Sequence, residues 1–202
     1  MRTAQARSPK KEKLLQAAER LMLKQGYPAT TVDAICAAAN VTKGGFFHYF
    51  KGKEDLGKEV LARFVAGIGL KMQTAAFRKK SDPLQRVYGY IDFLTEMFRD
   101  PAAPRACLLG HFSQELADTH PAIRTQCALH FGQWAAVLAQ DLEAAKTKHA
   151  PRSGIDPQSL AEHLIAVIEG SLILARASQD KKVLEKNLQH FRRYLNSLFE
   201  DQ

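Results

Sequence analysis

The chain has 202 residues, of which 46% are hydrophobic and 25% charged, with three cysteines and eight prolines. That composition supports a buried core and excludes a disordered, collagen-like or mucin-like polymer, and the length is too short for three independent domains. The formal charge of +8 is unevenly spread: residues 1–53 hold ten basic side chains (Arg2, Arg7, Lys10, Lys11, Lys13, Arg20, Lys24, Lys43, Lys51, Lys53) against three acidic ones, and the other 149 residues hold 19 against 18.

Ser8-Pro9 reads as an N-cap followed by a first-turn proline. Leu14, Ala17, Ala18 and Leu21 then recur at helical spacing until Gly26-Tyr27-Pro28 stops the pattern, which predicts a helix over 9–25. Thr30-Thr31 caps a short second helix, Val32 to Ala39, with Val32, Ile35, Cys36 and Ala39 on one face. Asn40-Val41-Thr42 turns the chain, and Thr42 caps a third short helix from Lys43 to Phe50. There Phe46 and Phe50 lie one turn apart and face inward, while Lys43, Phe47 and His48 look elsewhere. Gly52 opens a long helical stretch, 53–79, which leaves through Arg78-Lys79-Lys80 as a helix C-terminus favours, and Ser81-Asp82-Pro83 restarts the chain. Further helices are predicted over 83–99, 105–117, 121–148, 157–178 and 182–199, with no strand pattern and no internal repeat. The expected fold class is all-α: a three-helix head, residues 1–53, followed by a helical bundle, residues 54–202, about nine helices in all.

The cysteines, Cys36, Cys107 and Cys127, form no C-x-x-C pair, which argues against a disulfide framework and for a reducing compartment. The longest apolar stretch, Leu164 to Ala175, is broken by Glu169 and is far short of a membrane span. Met1 to Lys13 is basic but leads into no signal-peptide core, so a cytoplasmic location with no membrane partner is expected. No nucleophile with an orienting base, paired-carboxylate site or cofactor loop is visible by spacing; no catalytic residue, cofactor or metal is assigned, and an enzyme is not expected. His111 and Glu115 stand four residues apart, a metal pair without a third ligand, and read better as a surface or pocket hydrogen bond.

Positive charge gathered in the first quarter of a chain is the footprint of a polyanion-binding head, although N-terminal basicity also serves solubility alone. Two short helices joined by a tight turn, behind a longer scaffolding helix, form a helix-turn-helix unit. Its second helix begins Lys43-Gly44-Gly45, so backbone can come very near a phosphate or a base edge, and its outer face offers Phe47 and His48. A generic core helix would not begin with two glycines.

On these residues the segment Tyr27 to Leu56, YPATTVDAICAAANVTKGGFFHYFKGKEDL, resembles the DNA-binding head of the TetR family of transcriptional regulators. The likeness covers residues 9–60: the Gly26-Tyr27 stop, Thr30-Thr31, the Ile35 to Ala39 helix, Val41-Thr42-Lys43-Gly44, the aromatic run Phe46 to Phe50 and Lys53-Glu54-Asp55-Leu56. The resemblance implies a homodimer that binds a near-palindromic double-stranded DNA operator and is released by a small-molecule or electrophile inducer, with a ligand-responsive activator as the alternative. It implies that Thr31 and Thr42 contact phosphates and that Lys43 reaches a guanine edge or a phosphate. Gly44 and Gly45 would allow close approach, Phe47 and His48 would line the major groove with Gly45, and Tyr49 and Lys53 would grip the flanking backbone. The chemistry agrees independently, since helix N-terminal hydroxyls and amides suit phosphate, Lys suits guanine O6 and N7, and an aromatic edge suits a thymine methyl. Thr31 and Thr42 are helix caps in either reading. The pattern departs from the family at Phe47, where a tyrosine is frequent, and at Gly52, where a serine cap is frequent.

In the body, Leu160, Leu164, Val167, Ser171 and Leu172 on one helix, and Leu188, Phe191 and Leu195 on the last, form long apolar faces. They either complete the protomer core or, as the resemblance implies, pair with their symmetry mates across a dimer interface. Cys107 opens the sixth helix beside Arg105, where a thiolate would be favoured and an electrophile sensed; the alternative is a small buried hydrophobe. Its segment, CLLGHFSQELAD, is similar to that of NemR-like and AcuR-like members of the family. Phe93, Met97, Phe112, Phe131 and Trp134, with Cys107 and His111, have the spacing to line an inducer cavity, and the aromatic residues equally the spacing to be core.

Overall fold

The computed structural model describes residues 8–100 and 106–200; Arg2, Arg7 and Arg105 lie outside the described residues. Among the described residues there are nine α-helices, one 3-10 turn and no strand. The helices are α1 (Pro9–Gln25), α2 (Val32–Ala39), α3 (Lys43–Tyr49), α4 (Lys53–Thr74), α5 (Pro83–Arg99), α6 (Leu108–Leu116), α7 (Pro121–His149), α8 (Pro157–Ser178) and α9 (Lys182–Glu200). The proline-led starts fall where the sequence placed them, because a residue without an N–H costs a first helical turn nothing.

Two expectations need correction. Ser8 occupies the N-cap position of α1 but makes no side-chain cap; its Oγ instead lies 2.8 Å from the Tyr49 hydroxyl, a partner invisible to local reading. The stretch after Gly52 is not one helix to residue 79: α4 stops at Thr74, Ala75 is extended, and Ala76–Lys79 makes a single 3-10 turn. The break lets Phe77 enter the core, 5% exposed, edge-on to Tyr90 at 5.9 Å. Gly89 makes room for it, since a Cβ there would collide with that of Phe77.

The chain divides into two compact units. The first comprises residues up to Gly67 together with Leu108–Ala128. Within it α1 packs against α2, α3 and α6, burying Leu14, Leu15, Ala18 and Met22 of α1, Ile35 of α2 and Phe46 of α3. Arg63 of α4 grips Glu12 and Glu19 of α1, its Nε 2.9 Å from Glu12.

The second unit comprises Ile68–Cys107 and Leu129–Gln202. Its core joins Val87, Tyr90, Ile91 and Leu94 of α5, Leu138 and Leu142 of α7, and the inner faces of α8 and α9. Asp141 of α7 accepts hydrogen bonds from Arg78 and Arg86, each at 2.7 Å, and Tyr88 donates to Asn196 at 2.6 Å. The residues expected at a dimer interface sit in this core: Leu160, Leu164, Ser171, Leu172, Leu188, Phe191 and Leu195 are all at most 6% exposed within the single protomer, and Val167 packs against them. Two apolar faces from neighbouring helices satisfied each other, and a side chain already buried in its own chain has no surface left to offer. What α8 exposes is a different stripe, with Ile173 and Leu174 about half exposed beside Ala177. Among the described residues no helix is long and apolar enough to cross a membrane.

Candidate nucleic-acid interface and effector cavity

The α2–α3 unit is fixed by local chemistry. Thr31 Oγ1 accepts from the Ala34 N–H and Thr42 Oγ1 from the Gly45 N–H, both at 3.1 Å. Each cap uses only a lone pair, so each hydroxyl proton remains available to an outside oxygen. Asn40 adopts the left-handed conformation at φ +52°, and the Asn40 and Val41 amides close α2 on the Ala37 and Cys36 carbonyls. Phe46 and Phe50, 0% and 1% exposed, root α3 in the core. The opposite face then has to point outward, and it presents Lys43, Gly44, Phe47 and His48, with Phe47 53% exposed.

The two glycines differ. A Cβ on Gly44 would meet nothing within 4 Å, whereas one on Gly45 would lie 2.8 Å from Val41 Cγ1. Gly45 is thus needed by the turn, and Gly44 leaves bare backbone on the surface. Lys43 Nζ lies 3.0 Å from Asp33, but both side chains are more than half exposed, so the pair is weak and easily exchanged for a phosphate. Lys10, Lys13, Arg20 and Lys51 are exposed in the same unit.

Two expected backbone-gripping residues are engaged inside the unit. The Tyr49 hydroxyl meets Ser8, and Lys53 Nζ donates to the Tyr27 carbonyl at 3.0 Å while standing 4.2 Å from the centre of that tyrosine ring. Burial pulls the Lys53 ammonium below its usual pKa, partly offset by the nearby Glu115.

In the second unit a groove of about 360 Å3 runs between α7 and α8, lined by Phe131, Gly132, Ala135, Glu162, Ile165, Ala166 and Glu169. Phe131 stacks on Trp134 with ring centres 6.2 Å apart, and Trp134 Nε1 donates to the buried Tyr90 hydroxyl at 2.9 Å. Burial drives the Glu169 carboxyl up to about 7, with a hydrogen bond from the Cys107 thiol pulling the other way. Of the residues expected to line a cavity, Phe93, Met97, Cys107, Phe131 and Trp134 gather in this unit, and only Phe131 lines the groove. Phe112 and His111 belong to the first unit, where Phe112 meets Tyr27 edge-on at 5.6 Å. Cys36 and Cys127 are buried, and among the described residues no group of three His, Cys, Asp or Glu side chains is placed to hold a metal.

A family model of bacterial regulatory proteins of the tetR family matches residues 14–60, and one of the tetracyclin repressor-like C-terminal domain matches residues 83–191. The chain belongs to the TetR family. It is a DNA-binding transcriptional regulator and not an enzyme. Among relatives, the transcriptional repressor DhaR of Mycobacterium sp. (strain GP1) is 27% identical over 91% of this chain and 90% of its own length. The repressor NemR of Escherichia coli (strain K12) is 26% identical over 89% and 90%. A solved structure of a regulatory protein TetR from Rhodobacter sphaeroides superposes with a TM-score of 0.83 at 25% identity, covering 92% of this chain and 98% of that one.

For this TetR-family chain two further side chains matter that residue spacing did not single out as site residues. Glu115 of α6 accepts the Tyr27 N–H at 2.7 Å, at the point where α1 ends and the helix-turn-helix begins. Gly26 has φ +84°, which favours glycine, and a Cβ there would push that carboxylate off the Tyr27 amide. Glu115→Ala should cost about 1–2 kcal/mol in urea denaturation and speed hydrogen exchange at the Tyr27 amide. The other is Glu169, whose signal in the sequence was a lone carboxylate in an otherwise apolar helical run.

Proposed function

We propose that this regulator is a cytoplasmic homodimeric repressor of a near-palindromic operator, with residues 1–53 as the DNA-binding head and 54–202 as the ligand-binding and dimerisation body. The outward face of α3 carries the reading: a cation, bare backbone, an aromatic and a histidine stand exposed on a helix whose other face is rooted by Phe46 and Phe50. Lys43 and His48 address base edges or phosphates, Phe47 a thymine methyl, and the Thr31 and Thr42 hydroxyls donate to phosphates while remaining caps. Tyr49 and Lys53 act first inside the head, and reach the backbone only by exchanging the partners they hold.

Two-fold symmetry supplies the second head that a palindrome needs. The surface for it is the exposed stripe of Ile173, Leu174 and Ala177 on α8, beside the half-buried Gly170, with Tyr194 of α9, 44% exposed. DhaR and NemR bear the name of repressors, which supports the same sense of regulation here.

The test is binding to duplexes from the protein's own promoter across salt concentration. A steep loss of affinity with salt is expected, and Lys43→Ala should lower the slope by about one if it holds a phosphate, or cost roughly 1–3 kcal/mol at one operator position if it reads a base. A duplex that competes no better than random DNA at moderate salt overturns the reading.

One observation favours an electrophile as the inducer. Cys107 is only half-buried, and its thiol already donates to a carboxyl able to take the proton as a sulfur–carbon bond forms. Release of the operator by N-ethylmaleimide should be lost in Cys107→Ser; unchanged release excludes the thiol route.

A further inference from the structure

The groove between α7 and α8 has a chemistry of its own. Its walls are apolar, from Phe131, Ala135, Ile165 and Ala166, and Gly132 leaves its floor bare, with nothing within 4 Å of where a Cβ would stand. Its charged lining consists of Glu162 and Glu169, seven residues apart on one side of α8 and so about 10 Å apart along the axis. Among the described residues neither has a cationic partner: Glu162 accepts from Gln158 Nε2 at 2.8 Å, and Glu169 is approached by the Cys107 thiol while its buried Oε1 has no donor there. A buried acceptor left without a donor is costly, and no cation among the described residues relieves it.

We propose that this groove is a second, reversible effector site of the regulator, beside the thiol route at Cys107, and that it takes a small amphipathic organic cation, an apolar body carrying a protonated amine. The ammonium donates to Glu169 Oε1, the body lies along Ile165, Ala166 and Ala135, and the face of Phe131, backed by Trp134, adds cation–π attraction. An anion of the same shape meets two like charges, and a neutral hydrocarbon leaves Oε1 unsatisfied, so both are rejected by the same residues. The volume, about 360 Å3, lies at the small end of ligand cavities and limits the body to about one ring with a short arm. The ammonium on Oε1 then shares the carboxylate with the Cys107 thiol, which does not reach that oxygen. Cys107 immediately precedes α6, and the far end of α6 carries Glu115, which holds the Tyr27 amide of the head.

The proposal rests on the ligand-controlled regulator described above, and its test separates the two. Benzylamine, benzyl alcohol and benzoate are titrated calorimetrically into the full-length protein at pH 7.5, with operator affinity measured on the same preparations. Benzylamine is expected to bind at least tenfold more tightly than either analogue. Glu169→Gln should weaken it at least tenfold and Glu162→Gln by less. Gly132→Leu, which places a side chain in open space on a helix, should abolish binding while leaving the fold intact. Equal or tighter binding of the alcohol or the anion, no binding of benzylamine up to 10 mM, or an unchanged affinity in both Glu169→Gln and Gly132→Leu overturns the proposal. If no probe binds and Glu169→Gln instead changes the oligomeric state, the groove is a contact between copies and the proposal fails. Specific operator binding in the same samples would leave the repressor reading standing in any of these cases, and its absence would sink that reading separately.

Discussion

Gly44→Glu should leave the helical content and the melting temperature at or above those of the parent while cutting affinity for the operator duplex roughly 100-fold or more, near 3 kcal/mol. The two effects have opposite signs because they arise on different surfaces. Inside the protein the substitution is favourable: nothing lies within 4 Å of the new Cβ, glutamate exceeds glycine in helix propensity by about 0.5–1 kcal/mol, and an acid in the first turn suits the helix dipole. Outside it, the same side chain places a carboxylate on the face of α3 that also presents Lys43, Phe47 and His48, where a polyanion is to dock. Circular dichroism with temperature and a DNA titration at one fixed salt concentration check both halves. Full operator affinity in a well-folded Gly44→Glu protein would show that α3 does not enter the groove.

Glu169→Gln should stabilise the protein by on the order of 2 kcal/mol at pH 8 and by nothing at pH 4. Burial raises the carboxyl from 4.5 to about 7 in the folded chain, so the fold favours the protonated form. Below 4.5 the group is protonated whether the chain is folded or not, and the penalty is absent. As pH rises through the interval the unfolded chain ionises freely and the folded one resists, so stability falls, and the full cost is present above about 7. Thermal melts of parent and variant from pH 4 to pH 8 should therefore diverge upward through that interval, by about 4–8 °C at the alkaline end. Curves that stay parallel would mean that the carboxyl is as well solvated in the fold as in the unfolded chain. A site that keeps a destabilising carboxylate is consistent with one reserved for a partner outside the chain.

The helix-turn-helix was legible in the sequence because each of its determinants is local. Thr31 and Thr42 cap the helices that they precede, Asn40 takes the left-handed turn, and the interval from Phe46 to Phe50 sets which face of α3 is inward. Prolines 9, 83, 121 and 157 each stand at the first position of a helix for the same reason. The break at Ala75 was not legible: it serves a contact between Phe77 and Gly89, and no local signal announces it.

What the amino-acid order determined alone is therefore the helical alphabet, the basic head and the outward face of its third helix, all set by interactions within a few residues. The tertiary structure decided how the apolar faces are spent. The periodicity of α8 and α9 states that a face is apolar but not what covers it, and only packing showed Leu164 and Leu188 closed on their own core, leaving Ile173 and Leu174 outside. The same holds for the carboxylates, since sequence gives their charge but not their surroundings. Glu115 came to rest on the Tyr27 amide and Glu169 on a groove with a buried, unpaired oxygen because helices distant in the chain were brought beside them.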